Sequence, residues 1–246
     1  MSGWPYPRVV AHRGGGSLAP ENTLGALRHG ASLGFLGAEF DVMLAGDGTP
    51  VLIHDETLSR TTNGSGDVAR TPYAELRRFD AGSWKGERWK GEHLPTFDEA
   101  GRLCRELGLW ANVEIKPAKG YARETGTAAA RMARELWRDA ELPCVLSSFS
   151  VEALEAAQAA APELPRGYIV RDIPPDWRET MARLGCVSMH CKHQLLAEDQ
   201  AASVRASGYA VLCWTVNDPD IARRLLGWGV DGIITDALDR IGPDFR

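Results

Sequence analysis

Short apolar runs alternate with amphipathic stretches along almost the whole chain. The apolar runs that predict buried strands span residues 8–12, 38–44, 50–54, 110–116, 143–147, 167–171, 186–190, 209–216 and 232–235. Apolar residues at helical spacing predict helices over roughly 22–34, 97–108, 121–138, 150–160, 176–184, 198–207 and 219–228. Strands that alternate with helices favour a parallel sheet covered by helices, and for 246 residues we expect its closed form, a (β/α)8 TIM barrel.

One strand candidate is surplus, because nine are predicted and a (β/α)8 barrel holds eight. Only five residues separate the second candidate from the third, and Asp47-Gly48 among them is a strong hairpin signal. We therefore expect these two candidates to form a hairpin that grows from barrel strand two. Folding back in this way would bring His54, at the end of the third candidate, close to Asp41.

The connection over residues 55–93 is polar, contains glycines and is much longer than an ordinary strand-to-helix loop. In a barrel it would rise from the face where active sites lie. We expect a single barrel domain over residues 1–246, in which 55–93 forms a small insertion or cap.

Three carboxylates interrupt the apolar strand candidates. Glu39 and Asp41 alternate with apolar residues in the second candidate, and Glu114 does so in the fourth. Residues two apart in a strand point to the same side, so Glu39 and Asp41 share one face. A solvated face of an antiparallel sheet is the alternative, but strands flanked by helices are usually buried on both faces. Buried carboxylates this close together would strain or take up protons unless a cation lay among them, and oxygen ligands favour Mg²⁺ or Ca²⁺ over zinc.

Two histidines, His12 and His54, follow apolar runs that end where the active face of a barrel would begin. A lone histidine there is usually structural, but a pair suits phosphodiester cleavage, which needs one proton acceptor and one donor. Arg13 and Lys116 either neutralise the carboxylates or grip phosphoryl oxygens, and one cluster can do both. For Trp214, which ends a strand candidate, core packing and stacking on a glycerol-like group both stay open.

The composition excludes several classes of protein. With 44% hydrophobic and 25% charged residues the chain is ordinary for a globular protein, and its formal net charge of -5 argues against nucleic acid as the main partner. No apolar run approaches the roughly 18 residues of a membrane span, and we expect neither a secretory leader nor stable membrane association. Five cysteines, an odd number without C-x-x-C spacing, favour free thiols and a cytoplasmic location. The oligomeric state cannot be predicted from these features.

The motifs resemble those of the glycerophosphodiester phosphodiesterase family, in its cytoplasmic bacterial form. The matching blocks, in chain order, are His12-Arg13-Gly14, Pro20-Glu21-Asn22-Thr23, Glu39-Phe40-Asp41-Val42, Asp47-Gly48, Pro50-Val51-Leu52-Ile53-His54-Asp55, Arg60-Thr61-Thr62, Leu94-Pro95-Thr96, Glu114-Ile115-Lys116, Ser147-Ser148-Phe149, Trp214-Thr215-Val216-Asn217 and Asp231-Gly232-Ile233-Ile234-Thr235-Asp236. The resemblance implies a divalent ion among the three carboxylates, acid-base catalysis by the two histidines, and the two cationic side chains near the phosphate. It also implies conversion of a small-molecule glycerophosphodiester to sn-glycerol 3-phosphate and an alcohol.

Our mechanistic hypothesis is an attack on phosphorus by the neighbouring glycerol hydroxyl, with loss of the alcohol and a cyclic phosphate that water then opens. His12 would act as base and His54 as acid in the first step, with the roles reversed in the second. Direct attack by water uses the same residues and stays open. Two further alternatives are a related lyase that stops at the cyclic product and a protein that binds phosphodiesters without cleaving them.

Overall fold

The computed structural model describes residues 3–246, in which eight parallel strands close into a (β/α)8 barrel. Residues 1 and 2 of the predicted 1–246 domain lie outside this part of the chain. The strands are β1 (Val9–Ala11), β2 (Gly37–Leu44), β3 (Pro50–Leu52), β4 (Trp110–Ile115), β5 (Val145–Ser148), β6 (Arg166–Val170), β7 (Cys186–Lys192), β8 (Ala210–Trp214) and β9 (Gly232–Thr235). Pairing runs from β1 through β9, β8, β7, β6, β5 and β4 to β2, which pairs again with β1. The barrel prediction is therefore confirmed.

Helices on the outside of the barrel connect most of the strands. They are α1 (Leu24–Ser32), α2 (Tyr73–Leu76), α3 (Phe97–Leu107), α4 (Ala122–Leu136), α5 (Val151–Ala160), α6 (Trp177–Leu184), α7 (Glu198–Ala206) and α8 (Pro219–Gly227). Capping residues in the sequence mark where several of these helices begin. Thr96 caps α3, for example, because its hydroxyl accepts from the Glu99 N–H while the Glu99 carboxylate accepts from the Thr96 N–H at 2.8 Å. Within residues 3–246, none of the helices combines the length and apolar character that a membrane crossing requires.

The surplus strand β3 forms the predicted hairpin with β2. The two strands are antiparallel, with Val42 opposite Leu52. Gly48 in the turn has φ 82°, a left-handed conformation that glycine adopts without strain. Beyond β3, the Ile53 N–H donates to the Asp41 carbonyl at 3.3 Å. The hairpin therefore brings the chain back beside the carboxylates of β2.

The interior of the barrel changes from apolar to polar along the strands. One buried apolar cluster consists of Val10, Trp110, Val145 and Ile234. In each of these strands, the polar residues of the rim follow the cluster residue in sequence. Side chains of the opposite orientation, such as Phe40, pack in the layer between the barrel and the helices. The apolar layers support the strands, and the polar side chains collect at the strands' C-terminal ends.

The segment 55–93 packs on the β2–β3 hairpin. Its buried side chains Leu58, Val68 and Leu76 form one apolar cluster with Met43 and Val51 of the hairpin. Besides α2, the segment contains 3-10 turns at Val68–Arg70, Ser83–Lys85 and Glu87–Trp89. Its first residues continue directly from the end of the hairpin and lie next to the polar rim.

Candidate active site

The predicted site residues meet in one cavity at the C-terminal ends of the barrel strands. All eight line it: His12, Arg13, Glu39, Asp41, His54, Glu114, Lys116 and Trp214. The lining also includes Asn112, Phe149, Ile169, His190, Thr215 and Ile234. Parallel strands end at the same rim, and the register that places Asp41 opposite Glu114 explains why carboxylates far apart in sequence meet there.

The carboxylates of Glu39, Asp41 and Glu114 form a compact cluster, in which one oxygen from each lies within 4.8 Å of the others. Glu39 and Asp41 are only 2% and 1% exposed, which excludes the solvated polar face considered above. Oε1 of Glu39 is buried and has no hydrogen-bond partner within residues 3–246. An unpaired buried carboxylate oxygen is costly without a cation, so this oxygen-only set fits a hard divalent ion.

The pKa values of these carboxylates also fit a cation site. Burial and repulsion from Asp41 raise the pKa of Glu39 to about 7 and that of Glu114 to about 8. Burial acts in the same sense on Asp41, but the charges of Lys116 and Arg13 outweigh it and hold the pKa of Asp41 below its ordinary value. Near neutral pH, the cation-free cluster therefore keeps part of its protons, which a divalent ion would displace.

Two cationic side chains border the cluster. Nζ of Lys116 lies 3.1 Å from Glu114 Oε1 and 3.4 Å from Asp41 Oδ1. Nε of Arg13 lies 3.6 Å from Asp41 Oδ2. Arg13 has φ 51°, and its backbone N–H donates to Glu39 Oε2 at 2.9 Å. Each cation neutralises a carboxylate and also lines the cavity, so binding of phosphoryl oxygens by these side chains stays a prediction.

His12 follows β1 and is held by a carboxylate from the opposite end of the chain. Its Nδ1 lies 2.6 Å from Asp236 Oδ1, and its Nε2 lies 3.8 Å from Glu39 Oε2. With Asp236 ionised, Nδ1 carries the proton in this bond and Nε2 is left to exchange one. Burial lowers the pKa of His12, but the hydrogen bond with Asp236 and the charge of Glu39 outweigh it and raise the pKa above its ordinary value.

His54 follows β3 and is held by its neighbour in sequence. Its Nδ1 lies 2.6 Å from Asp55 Oδ1, so Nε2 is again the nitrogen left to exchange a proton. Burial is the largest influence on the pKa of His54 and lowers it; Arg13 and Lys116 act in the same sense. Asp41 and Asp55 oppose this only in part, so the pKa of His54 lies below its ordinary value. The two histidines therefore have pKa values shifted in opposite directions.

Three residues without a predicted role support the site: Asp236, Asp55 and Asn22. Asn22 Nδ2 donates to Asp41 Oδ2 at 2.8 Å, and Asn22 Oδ1 accepts from the Asp41 N–H at 3.0 Å. These paired contacts fix the orientation of one carboxylate of the cluster. A sequence signal existed for Asp236, which ends the apolar run of β9 in the same way as His12 ends that of β1. Asn22 ends no apolar run, because it lies in an irregular loop, and the block Pro20-Glu21-Asn22-Thr23 is the signal that marks it.

Two aromatic side chains, Trp214 and Phe149, form an aromatic wall of the cavity. Trp214 and Phe149 pack edge to face with ring centroids 5.4 Å apart, and Trp214 Nε1 donates to the His190 carbonyl at 3.0 Å. His190 is fully buried, its Nε2 lies 2.9 Å from Ser188 Oγ, and burial lowers its pKa to about 3. None of the cavity-lining residues comes from the segment 55–93, within the part of the chain that the structure describes. The aromatic wall is therefore the part of the lining that offers aromatic ring surface to a ligand in the cavity.

Comparison with known proteins agrees with this geometry. The sequence profile of the "Glycerophosphoryl diester phosphodiesterase family" matches residues 12–240. The chain belongs to this family. A glycerophosphodiester phosphodiesterase from Caldanaerobacter subterraneus subsp. tengcongensis is 33% identical over 229 residues, which cover 93% of each chain.

Solved structures with the same fold support the assignment. An Oleispira antarctica phosphodiesterase, solved in complex with the product sn-glycerol-3-phosphate, is 41% identical with a TM-score of 0.89 and 94% of each chain covered. A glycerophosphodiester phosphodiesterase from Agrobacterium tumefaciens is 28% identical with a TM-score of 0.78, over 97% of this chain and 98% of that one. The predicted family, barrel fold and enzyme class are confirmed: the chain is a phosphodiesterase of this family.

Proposed function

We propose that this chain hydrolyses glycerophosphodiesters to sn-glycerol 3-phosphate and an alcohol. One observation carries the proposal: two histidines, three carboxylates and two cationic side chains line a single cavity at the barrel rim. The product sn-glycerol-3-phosphate is bound by the Oleispira antarctica phosphodiesterase, which is 41% identical to this chain. Since a barrel supports many chemistries, the arrangement of these side chains is a stronger argument than the fold.

The cluster of Glu39, Asp41 and Glu114 is our candidate site for one divalent cation, Mg²⁺ or Ca²⁺. Three carboxylates within 4.8 Å and the unpartnered Oε1 of Glu39 support a hard ion. When bound, the ion supplies positive charge that stabilises the anionic transition state and lowers the pKa of a neighbouring hydroxyl. Asn22 would keep Asp41 aligned as a ligand.

His12 and His54 carry the protons. Nε2 of His12 is beside Glu39, so we assign to it the proton of a hydroxyl next to the acidic cluster, and we assign to His54 the proton donated to the leaving alcohol. In the cation-free protein the raised pKa of His12 is unfavourable for its assignment as the proton acceptor. Part of that rise comes from the charge of Glu39, which a bound cation would neutralise.

In the proposed route the glycerol hydroxyl next to the phosphate attacks phosphorus, and the P–O bond to the alcohol breaks. The alcohol leaves with a proton from His54, and water then opens the cyclic phosphate while the histidines exchange roles. Arg13 and Lys116 bind phosphoryl oxygens as the charge on them develops. Trp214, together with Phe149, forms an apolar wall against the substrate's carbon skeleton.

We further propose that residues 1–246 form one domain, with 55–93 as an insertion, and that the enzyme acts in the cytoplasm on soluble diesters. The apolar cluster shared by the segment and the β2–β3 hairpin supports one domain. The five cysteines are all free and buried, which suits a reducing compartment. The net charge of -5 supports a small-molecule substrate and not nucleic acid.

Hydrolysis of glycerophosphocholine, followed by ³¹P NMR, tests the proposal. We expect sn-glycerol 3-phosphate to form, EDTA to abolish turnover, and Mg²⁺ or Ca²⁺ to restore it. Glu39→Gln should lower kcat/KM by roughly 10²-fold or more. Glu163→Gln, at a side chain that is 52% exposed and distant from the cavity lining, is the matched control and should not change it.

Each alternative has its own result in this assay. Equal turnover with and without EDTA would discard the cation site. A cyclic phosphate as the final product would identify a lyase, and binding without turnover under every ion would identify a non-catalytic binding protein.

A further inference from the structure

A chain of charged contacts joins the loops that carry His54 and Arg13, and Arg60 lies at its centre. We propose that Arg60 is a positioning residue that holds the catalytic histidine and the phosphate-binding arginine in a fixed relation. This inference rests on the proposed function. Arg60 is not part of the cavity lining, so it acts through the two carboxylates beside it, Asp55 and Glu21.

The first branch runs from Arg60 to His54 through Asp55. Arg60 Nε donates to Asp55 Oδ2 at 2.5 Å and Arg60 Nη2 donates to Asp55 Oδ1 at 3.1 Å. The same Oδ1 lies 2.6 Å from Nδ1 of His54. Both oxygens of Asp55 are therefore held, which fixes the imidazole ring and keeps its proton on Nδ1.

The second branch runs from Arg60 to Arg13 through Glu21. Nη1 and Nη2 of Arg60 donate to Glu21 Oε2 at 2.8 Å and to Oε1 at 2.7 Å. Oε1 of Glu21 also accepts from Arg13 Nη1 at 2.6 Å. This contact holds the guanidinium of Arg13 in a defined orientation beside the acidic cluster.

The two branches explain why an arginine is needed at this position. Glu21 lies in the loop after β1 and Asp55 in the loop after β3, beyond the ends of the paired strands. One planar guanidinium can donate to both oxygens of two carboxylates at once, whereas an ammonium group is a single point charge. Arg60 therefore ties together two loops that come from different strands.

Breaking one branch at a time separates the two effects. Asp55→Asn should lower kcat by roughly 10²-fold with little change in KM, because the ring of His54 is released. Glu21→Gln should raise KM for glycerophosphocholine by about tenfold with little change in kcat, because Arg13 loses its orientation. Arg60→Gln should show both effects, each of roughly tenfold. Arg60→Lys keeps the charge without the fork and should recover only part of the loss.

The pH profile and the tautomer of His54 distinguish positioning from general destabilisation. Besides Asp55, the charged groups that face His54 are Asp41, Arg13 and Lys116. Neither Asp55→Asn nor Arg60→Gln removes any of these charges, although Arg60→Gln also releases Arg13 from its orientation. Loss of the negative charge in Asp55→Asn should lower the pKa of His54, so the limb of the pH–rate profile that reports His54 should move to lower pH. Loss of the positive charge in Arg60→Gln should move it to higher pH. ¹⁵N NMR of the imidazole should report protonated Nδ1 in the wild type and a mixture of tautomers in both variants.

Arg134→Gln is the matched control. Arg134 is bonded to Glu163 at 2.6 Å, and its side chain is 39% exposed, against 44% for Arg60. We expect this control to leave kcat, KM and the His54 tautomer unchanged. Thermal unfolding of all variants identifies any that fold poorly, and Arg60→Lys then carries the test.

Two results would overturn the role of Arg60. One is an unchanged His54 tautomer together with unchanged kinetics in Arg60→Gln. The other is an equal loss of activity in Arg134→Gln. The NMR measurement does not need turnover, so an inactive wild type would reject the proposed function and still leave the position of His54 testable.

Discussion

The two histidine–carboxylate pairs of the site are alike in geometry but are built in different ways. His12 and Asp236 stand 224 positions apart and meet because β1 pairs with β9. His54 and Asp55 are neighbours in sequence and lie in the loop after the hairpin. In both pairs Nδ1 of the histidine lies 2.6 Å from a carboxylate oxygen. The same contact is therefore formed in one case by paired barrel strands and in the other within a single loop.

The two pairs differ in the charge of the group that donates a hydrogen bond to the carboxylate. Asp236 accepts from the neutral amide of Asn217 at 3.0 Å, whereas Asp55 accepts from the guanidinium of Arg60. A neutral amide leaves the negative charge of Asp236 free to stabilise protonated His12, but a guanidinium offsets the charge of Asp55. Burial lowers the pKa of both histidines. In His12 the hydrogen bond with Asp236 and the charge of Glu39 outweigh burial, whereas in His54 the charges of Arg13 and Lys116 add to it. Two pairs of the same geometry therefore hold histidines whose pKa values are shifted in opposite directions.

The largest expected effect separates the two histidines by the leaving group of the substrate. His12→Gln and His54→Gln should each lower kcat/KM for glycerophosphocholine by roughly 10²–10⁴-fold. With a 4-nitrophenyl diester, whose alcohol leaves without a proton, His54→Gln should recover most of this loss and His12→Gln should not. Recovery by His12→Gln instead would reverse the assignment of base and acid.

A second, smaller effect tests how each pair is held. Asp236→Asn removes the carboxylate that raises the pKa of His12, so the pH-rate limb of His12 should move to lower pH, with kcat reduced by roughly 10²-fold. Asn217→Asp is the complementary variant, because it adds negative charge and should move the same limb to higher pH. Limbs that stay at the same pH in both variants would mean that Asp236 does not control His12.

Removal of the cation should make the stability of the protein depend on pH. The raised pKa values of Glu39, about 7, and Glu114, about 8, mean that the folded cation-free protein binds more protons than the unfolded chain between about pH 4.5 and 8. The free energy of unfolding should therefore fall as pH rises through this window. Tm in EDTA should drop from pH 5 to pH 8, roughly in step with these two groups.

Saturating Mg²⁺ or Ca²⁺ should raise Tm most at the alkaline end, because the cation competes with protons for the same carboxylates. Glu114→Gln is the control variant, since it removes one of the two titrating groups and should flatten the slope in EDTA. A Tm in EDTA that rises between pH 5 and 8 would contradict the buried acidic cluster.

The smallest expected effect concerns the aromatic wall. Phe149→Ala should raise KM for diesters with a bulky alcohol by about fivefold, roughly 1 kcal/mol, and leave kcat within about twofold. Phe149 is 42% exposed, so the substitution should not alter folding. Leu195→Ala, at another exposed apolar side chain, serves as control. Equal effects of Phe149→Ala on substrates with small and large alcohols would place the alcohol elsewhere.

The barrel could be predicted because its strands are marked by local patterns. Apolar runs located all nine strands to within two residues, and Asp47-Gly48 identified the hairpin, since its turn depends only on adjacent residues. The eight site residues could be predicted for a related reason. Polar side chains in or after buried strands stand out from their surroundings. The parallel strands bring seven of them to one rim, and the antiparallel β2–β3 hairpin brings His54 there.

The supporting contacts could not be predicted, because they depend on how distant loops meet. Arg60 lies in a polar loop that has no periodic pattern, and its partner Glu21 precedes it by 39 positions. His29, on α1, is only partly exposed and packs edge to face on Trp89, with ring centroids 5.8 Å apart. In both contacts one of the two residues comes from the segment 55–93, and no periodic pattern in the sequence shows where this segment folds.

The most direct measurement is anomalous diffraction from a crystal soaked with MnCl₂ and sn-glycerol 3-phosphate. We predict one strong manganese peak within about 2.0–2.6 Å of carboxylate oxygens from Glu39, Asp41 and Glu114. The phosphate should lie beside it, between His12 and His54. A manganese peak elsewhere, with none at the three carboxylates under conditions that support turnover, would contradict the cation site on which the proposed reaction depends.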